Sequence, residues 1–399
     1  MYKNLKKYIF VFLLFTSAAE AADVNVRSFG ALPNDNNEDS SAIQRAINSL
    51  KSGDRLVLPA GQYLIKQTLD FENLSNITMD GQNQATLKKS GNIEYLMRIY
   101  YSNSVTVKGL TFIGNTANQI LWGEQGLLLA SCKNSSVLNN TFRNFGDAAV
   151  RAHTATDDIK AINSENIRIA NNSFYNITQV TTTQAVGGSH GGTKNIIIEN
   201  NTFEGLRGSI KCASRKPVNL CFIRGNHIKS SLRNAVEIAS FSDVTVENNI
   251  FENISNFVMN IYGNEEMYSG YQWGNINIQN NIFRNANSGI RIANTGYGNG
   301  SQFDLNNIRV VNNIFDNLGA GYASGAIGLT NNTNKKMNNV VVNNNFFRNI
   351  KASSYVGLSS GVYLSANNNL AWPLQFKDEP YVKAGSGSFP SDVRSSGEN

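Results

Sequence analysis

Short runs in which aliphatic and polar residues alternate recur along the chain, and most close on two asparagines followed by phenylalanine. The unit reads VLNNTF at 137–142, IANNSF at 169–174, IENNTF at 198–203, VENNIF at 246–251 and IQNNIF at 278–283. VNNIF at 311–315 and NNNFF at 343–347 continue it, and IRGNHI at 223–228 is a degenerate copy. The aligned position is Phe142, Phe174, Phe203, Ile228, Phe251, Phe283, Phe315 and Phe347, with repeats of 23 to 32 residues. Such a period predicts a solenoid. Helical repeats are excluded because the apolar period is two and Asn and Gly separate the runs. The expectation is an all-β chain coiled as a parallel β-helix of about nine to eleven coils, each of three short strands. Phe stacks inside, while the paired Asn sit at a turn and bond from coil to coil, a role in architecture.

Counting from each Phe locates a second strand that does not repeat faithfully. It is aligned as LLLA (127–130), AVRAH (149–153), AVGGS (185–189), SIKCA (209–213), AVEIA (235–239), VMNIY (258–262), GIRIA (289–293), AIGLT (326–330) and GVYLS (361–365). Alternation turns the aliphatic position inward and its neighbour outward. The outward column is then Leu128, Arg151, Gly187, Lys211, Glu237, Asn260, Arg291, Gly328 and Tyr363, with His153 and Tyr262 in the next column. Insertions at 153–164, 262–274 and 294–307 follow this strand and would form a rim. The second insertion carries Tyr262, Glu265, Glu266, Tyr268, Tyr271 and Trp273, which suit stacking on sugar rings.

Val24 to Ile65 precedes the repeats. Ser41 and Gln44 form a capping-box pattern, and Ala42, Ile43, Ala46, Ile47 and Leu50 give one apolar helical face, a short cap for the open end of the solenoid. FGA, an Asp/Asn-rich stretch, AIQRAI and LPAGQY in this segment resemble the start of the pectin-lyase-like right-handed parallel β-helix proteins. That group includes polysaccharide lyases, polygalacturonase-type hydrolases and tailspikes. The resemblance implies a right-handed coil and action on polysaccharides. Of the polygalacturonase motifs only Asp147, His190-Gly191 and Ile210-Lys211 are present; the Asp pair is missing and Ser209 stands where Arg is wanted. The Asp cluster of calcium-dependent pectate lyases is also absent.

Met1–Ala21 reads as a signal peptide: Lys3, Lys6 and Lys7, an apolar run from Tyr8 to Phe15, and Ala19-Glu20-Ala21 as cleavage site. An exported protein, secreted or periplasmic, follows. The remaining segments are 22–66 as cap and first strand, 67–370 as β-helix and 371–399 as C-terminal cap and loose tail, with Trp372 and Phe376 covering the last coil. The net charge is +6, of which the leader contributes two, and no basic stripe points to nucleic acid. No stretch is long enough to span a membrane. Cys132, Cys212 and Cys221 lack metal spacing, and free thiols are expected ahead of a Cys212–Cys221 disulfide.

A row of cations with aromatic loops beside it suits an acidic, uronate-containing polysaccharide as partner. β-Elimination is favoured: a base takes the proton α to the carboxylate while cations neutralise that carboxylate; C5 epimerisation would use the same proton abstraction and stays open. The resemblance implies Lys or Arg as the base. Lys211 is the candidate, with Arg151, Arg233 or Arg291 on the carboxylate and His153 as proton donor; Asn260, Tyr262, Glu265, Tyr271 and Trp273 would bind sugar. Glu237, beside Lys211, opposes a low pKa there, yet is itself a candidate for hydrolysis by paired carboxylates with Asp147, Glu265 or Glu266. A glycan-binding or export-accessory protein is the non-catalytic alternative. Singly, each of these residues also fits a solvated face, as do Asp157, Asp158 and His190. No metal site is read, no cofactor is required, and calcium is left open.

Overall fold

The computed structural model describes residues 21–384 apart from 117–120, 122, 154–162, 182–192, 264–272, 295–303, 320–324, 332–334, 352–353, 359–361 and 373–381, with backbone only at 213–218, 240, 372 and 382–384. These residues form one continuous parallel sheet wound as a β-helix. The Phe position pairs in unbroken register through twelve rungs: Tyr63, Leu87, Phe112, Phe142, Phe174, Phe203, Ile228, Phe251, Phe283, Phe315, Phe347 and Ala371. Twelve such positions bound eleven turns, the upper end of the expected nine to eleven coils; Tyr63, Leu87, Phe112 and Ala371 hold the position without the Asn-Asn-x-Phe signature. The rings stack at 4.6 Å (Phe112–Phe142), 4.7 Å (Phe174–Phe203) and 4.9 Å (Phe315–Phe347), the spacing that parallel strands impose.

The two asparagines of each pair divide the work. The first takes the left-handed region, as at Asn171 (φ 57°) and Asn280 (φ 56°); Gly225 (φ 63°) substitutes for it in the degenerate repeat. The second turns inward and builds a buried ladder from Asn140 to Asn369. Asn281 is representative. Its Nδ2 donates to the Val246 carbonyl at 2.9 Å and to Asn313 Oδ1 at 3.0 Å, and its Oδ1 accepts the Asn249 amide at 3.0 Å. Asparagine recurs with positive φ at the other two corners as well, for example Asn166 and Asn176. The corner at Asn103, Asn134, Asn166 and Asn195 forms an exposed side-chain ladder.

One helix, α1 (Ser40–Asn48), covers the first coil through Ala42, Ile43, Ala46 and Ile47. The Ser41–Gln44 capping box does not form. Asp39 occupies the N-cap, its carboxylate accepting from the backbone of Leu32 and Leu64, while Ser41 donates to Glu38. Gln44 instead caps the sheet: its amide donates to the Asp70 carbonyl and accepts the Asp70 amide, both at 2.8 Å, so the open strand edge is satisfied by a side chain.

Cys212 and Cys221 are joined by a disulfide, against the expectation of free thiols. The chain runs as one strand from Ile210 to Arg224 with no long insertion, which brings two inward residues together across the coil. Cys132 is a buried free thiol, and burial pushes its pKa up to about 12.

Ion pairs link coils on the outside. Hydrogen bonding to Arg348 holds the Asp316 carboxyl below its usual range against the opposing effect of burial. Burial alone would raise Glu199, but Arg224 and Arg168 outweigh it and the pKa is lowered. A depressed folded-state pKa contributes stability above the unfolded value and loses it as pH falls through the folded value. Thermal midpoints should therefore hold between pH 7 and about pH 5 and fall below about pH 4, less steeply in Asp316→Asn.

Candidate functional site

The strand that follows each Phe strand builds one face of the coil. Its outward column, read from the pairing, is Asp70, Arg98, Leu128, Arg151, Thr181, Lys211, Glu237, Asn260, Arg291, Gly328, Gly357 and Lys383. Arg151, Lys211, Glu237, Asn260 and Arg291 thus share a column, as alternation expects. Two positions differ. Thr181 holds the rung assigned to Gly187, and residues 185–189 lie outside the described residues. Gly357 holds the rung assigned to Tyr363, which belongs to Val362–Asn367 on another side of the coil. The distance from the Phe could have located the first: Lys211 lies eight residues beyond Phe203, and Thr181 seven beyond Phe174.

Three side chains on successive rungs of this face are joined. Lys211 Nζ lies 2.9 Å from Glu237 Oε1, and the Tyr262 hydroxyl donates to the same oxygen at 2.5 Å. One rung on, Arg291 Nη1 donates to Asn260 Oδ1 at 2.9 Å. The rung neighbours of Lys211, the expected base, are Thr181 and Glu237, so an anion and not a cation stands next to it on this column. A half-buried acid–phenol pair next to a cation can move a proton while a charge is held nearby.

Upstream, the same face opens into a cleft of about 560 Å³ lined by Tyr95, Arg98, Tyr100, Leu128, Arg151 and His153 among others. Arg98 is gripped by Asp70 at 2.7 and 2.8 Å and lies over the rings of Tyr95 and Tyr100, 5.6 and 5.0 Å from their centroids. Burial pushes the Tyr100 phenol up to about 12 and raises Tyr95 further, with a hydrogen bond to Glu94 adding to it. Arg151 is buried, not presented to solvent: its Nη2 donates to both oxygens of Asp147 at 3.0 and 2.9 Å, and Gln179 donates to Asp147 at 2.7 Å. His153, expected at the surface, is also buried, at the end of its strand beside Ala130 of the preceding coil. The cleft escaped the sequence reading because EYLMRIYY at 94–101 has no Asn pair; the alternation of Tyr95, Met97, Ile99 with Arg98 and Tyr100 was the available signal.

The remaining candidates scatter. Arg233 is exposed in the turn before Val236. Trp273 is no sugar platform: it is 1% exposed, begins the strand after the insertion, and donates from Nε1 to the Phe241 carbonyl at 3.2 Å. A tryptophan preceding an aliphatic alternating run belonged to that run rather than to the loop. Glu265, Glu266 and Tyr271, with Asp157, Asp158 and His190, lie outside the described residues. Among the described residues no group of three or more His, Cys, Asp or Glu could hold a metal ion, and no helix is long and apolar enough to cross a membrane.

A sequence model of the rhamnogalacturonase A/epimerase, pectate lyase-like family matches residues 23–245, more than half of the chain. The chain belongs to this family. Membership places it among the pectin-lyase-like right-handed β-helix proteins, in agreement with the coil described above. Solved structures with the same fold include the A-module of a mannuronan C-5 epimerase from Azotobacter vinelandii, at 12% identity and a TM-score of 0.57, covering 92% of this chain and 100% of that one. A family 28 exopolygalacturonase from Yersinia enterocolitica matches at 13% identity and 0.56, covering 92% and 77%. The Agl-KA catalytic domain matches at 13% and 0.60, covering 92% and 68%. No curated protein matches by sequence. At these identities the structural likenesses of this rhamnogalacturonase A/epimerase-like chain speak for fold alone.

Proposed function

We propose that this protein is an exported enzyme that modifies an acidic polysaccharide by removing the proton α to a uronate carboxylate. The observation that carries the reading is the half-buried Lys211–Glu237–Tyr262 array on consecutive rungs of this face. Paired with Glu237, Lys211 serves as the cation that neutralises the substrate carboxylate, with Arg291 two rungs beyond Glu237 as a second. Glu237 takes the proton from the carbon bearing the carboxylate. In β-elimination the electron pair forms a double bond and expels the glycosidic oxygen, which receives the Tyr262 hydroxyl proton. In epimerisation the carbon is reprotonated from the opposite side and no bond to oxygen breaks. Two of the fold's relatives act, by name, on mannuronan and on polygalacturonate, which favours a uronate polymer.

A second reading is hydrolysis in the upstream cleft, favoured by the carboxylates Glu72, Glu94 and Asp147 that line it. Incubation with a panel of uronate polymers separates the outcomes. Ultraviolet absorbance of unsaturated ends marks elimination, new reducing ends without absorbance mark hydrolysis, and deuterium incorporated at C5 from heavy water without chain cleavage marks epimerisation. Either the first or the third signal supports the proposal; hydrolysis, or binding with no turnover on any polymer, overturns it.

A further inference from the structure

We propose that the outward face of the Phe strands in the second half of the coil is a docking surface for another copy of this chain, packed end for end across a two-fold axis. The face lies on a different strand from the column of Lys211, so the inference stands apart from the proposed reaction.

The residue just before each stacked Phe points outward. In the first half of the coil it is small and polar: Thr111, Thr141, Ser173 and Thr202 on consecutive rungs. After His227 it turns apolar on five consecutive rungs, Ile250, Ile282, Ile314, Phe346 and Leu370. Ile314 is 40% exposed and Leu370 66%, and the other three are half-buried. Thr and Ile both suit a strand, so the fold does not call for the change. With rungs about 4.8 Å apart the stripe is roughly 19 Å long. A contiguous apolar row on an outward face marks a surface for contact rather than for water.

Charge selects the occupant. Just after each Phe, on the same strands, a second outward row reads Glu252, Arg284, Asp316 and Arg348. Its sign alternates from rung to rung. Within the chain Arg284 donates to Glu252 at 2.9 Å and Arg348 to Asp316 at 2.8 Å, and both arginines remain exposed. Such a row complements itself when reversed. A two-fold axis lying in the contact along the strand direction, midway between the rungs of Ile282 and Ile314, reverses the coil and keeps each column facing its own kind. Ile282 of one copy then meets Ile314 of the other, and Ile250 meets Phe346. Arg284 meets Asp316 and Glu252 meets Arg348, so each charge faces its opposite. An axis through a rung would set like charge on like.

Arginine has five donors and a carboxylate about four acceptor sites, so the pairs within each chain persist when the second copy adds its own. Residues 385–399 are a poorer cover: GSGSFPSDVRSSGEN offers only Phe389 and Val393 as apolar side chains besides Pro390. A stripe of this length falls short of the roughly 800 Å² per partner of a standard interface, which puts the dimer in the weak, reversible class.

The test is sedimentation velocity of the full chain from roughly 1 to 300 µM, alongside Ile282→Thr/Ile314→Thr and Arg284→Glu. Threonine already holds this position in the first half of the coil, so the double variant is expected to fold; circular dichroism checks both. Wild type should pass from monomer to dimer across the series, and each variant should weaken association about tenfold or more. Photocrosslinking identifies the occupant. Benzophenone maleimide on Phe346→Cys should join the strand of Ile250 in another copy; Cys132 is buried and Cys212 is bonded to Cys221, so the label goes to position 346. A chain monomeric at every concentration, a dimer unchanged in either folded variant, or a crosslink from position 346 to residues 385–399 of the same chain overturns the proposal.

Discussion

Tyr262→Phe is expected to lower kcat on the responsive uronate polymer by about 10²- to 10⁴-fold with little change in KM. The hydroxyl it removes donates to Glu237 Oε1, and the ring that remains keeps the packing of the strand end. Glu237→Gln should cause a loss of the same size, because an amide cannot take the proton. If the two groups act as a unit, the double variant should be no worse than about tenfold below either single one, the non-additivity seen when one catalytic device is broken twice. Lys211→Ala differs in kind: it removes charge that meets the substrate in the ground state as well as the transition state, so KM rises together with the fall in kcat. Steady-state kinetics on the three variants, with polymer binding measured in parallel, checks the assignment. Near-normal kcat in Tyr262→Phe and Glu237→Gln would move the chemistry elsewhere on the face.

Asn281→Ala is expected to have the largest effect on stability. The Asn281 side chain is fully buried and answers groups on both adjoining coils: the Val246 carbonyl, the Asn249 amide and the Asn313 side chain. Truncation leaves at least the Val246 carbonyl and the Asn249 N–H buried without those partners. At about 1–3 kcal/mol for each, the loss reaches several kcal/mol, comparable with the whole stability of many domains. Asn285→Ala is the matched control. Its side chain is exposed, donating to Asn253 at 3.5 Å and accepting from Asn317 at 2.8 Å, and water can replace both partners, so the cost should be mainly the roughly 1–2 kcal/mol of placing alanine at φ 54°. Urea unfolding of the two variants should show a midpoint shift at least twice as large for Asn281→Ala. Equal shifts would mean that the buried ladder is incidental to stability.

The legibility of this chain follows the same division. The Phe position was readable because each ring must stack on the one below, so the residue repeats wherever the coil repeats. The pairs were readable for two reasons at once: the first Asn answers a backbone demand for positive φ, the second an inward hydrogen-bond demand. Rungs at Tyr63, Leu87 and Phe112 were missed because no Asn pair precedes them, and the rung at Ala371 because alanine follows Asn368 and Asn369 where the other repeats have Phe. On the outward column nothing packs against the next coil with a fixed shape, so the residues vary and only their parity can be counted. That parity was enough to bring Arg151, Lys211, Glu237, Asn260 and Arg291 together.

Sequence by itself thus determined the coil, its period and the face that carries the irregular residues, since all three follow from local alternation and turn chemistry. Only the tertiary structure decided which of those residues meet. Glu237 engages Lys211 and Tyr262, Arg151 turns to Asp147, and Trp273 goes inside. The cause is that such partners lie a rung or more away in space but 25 or more residues away in sequence, or share a strand whose side chains can rotate toward several neighbours. Contact between coils, not pattern within one, selects among them.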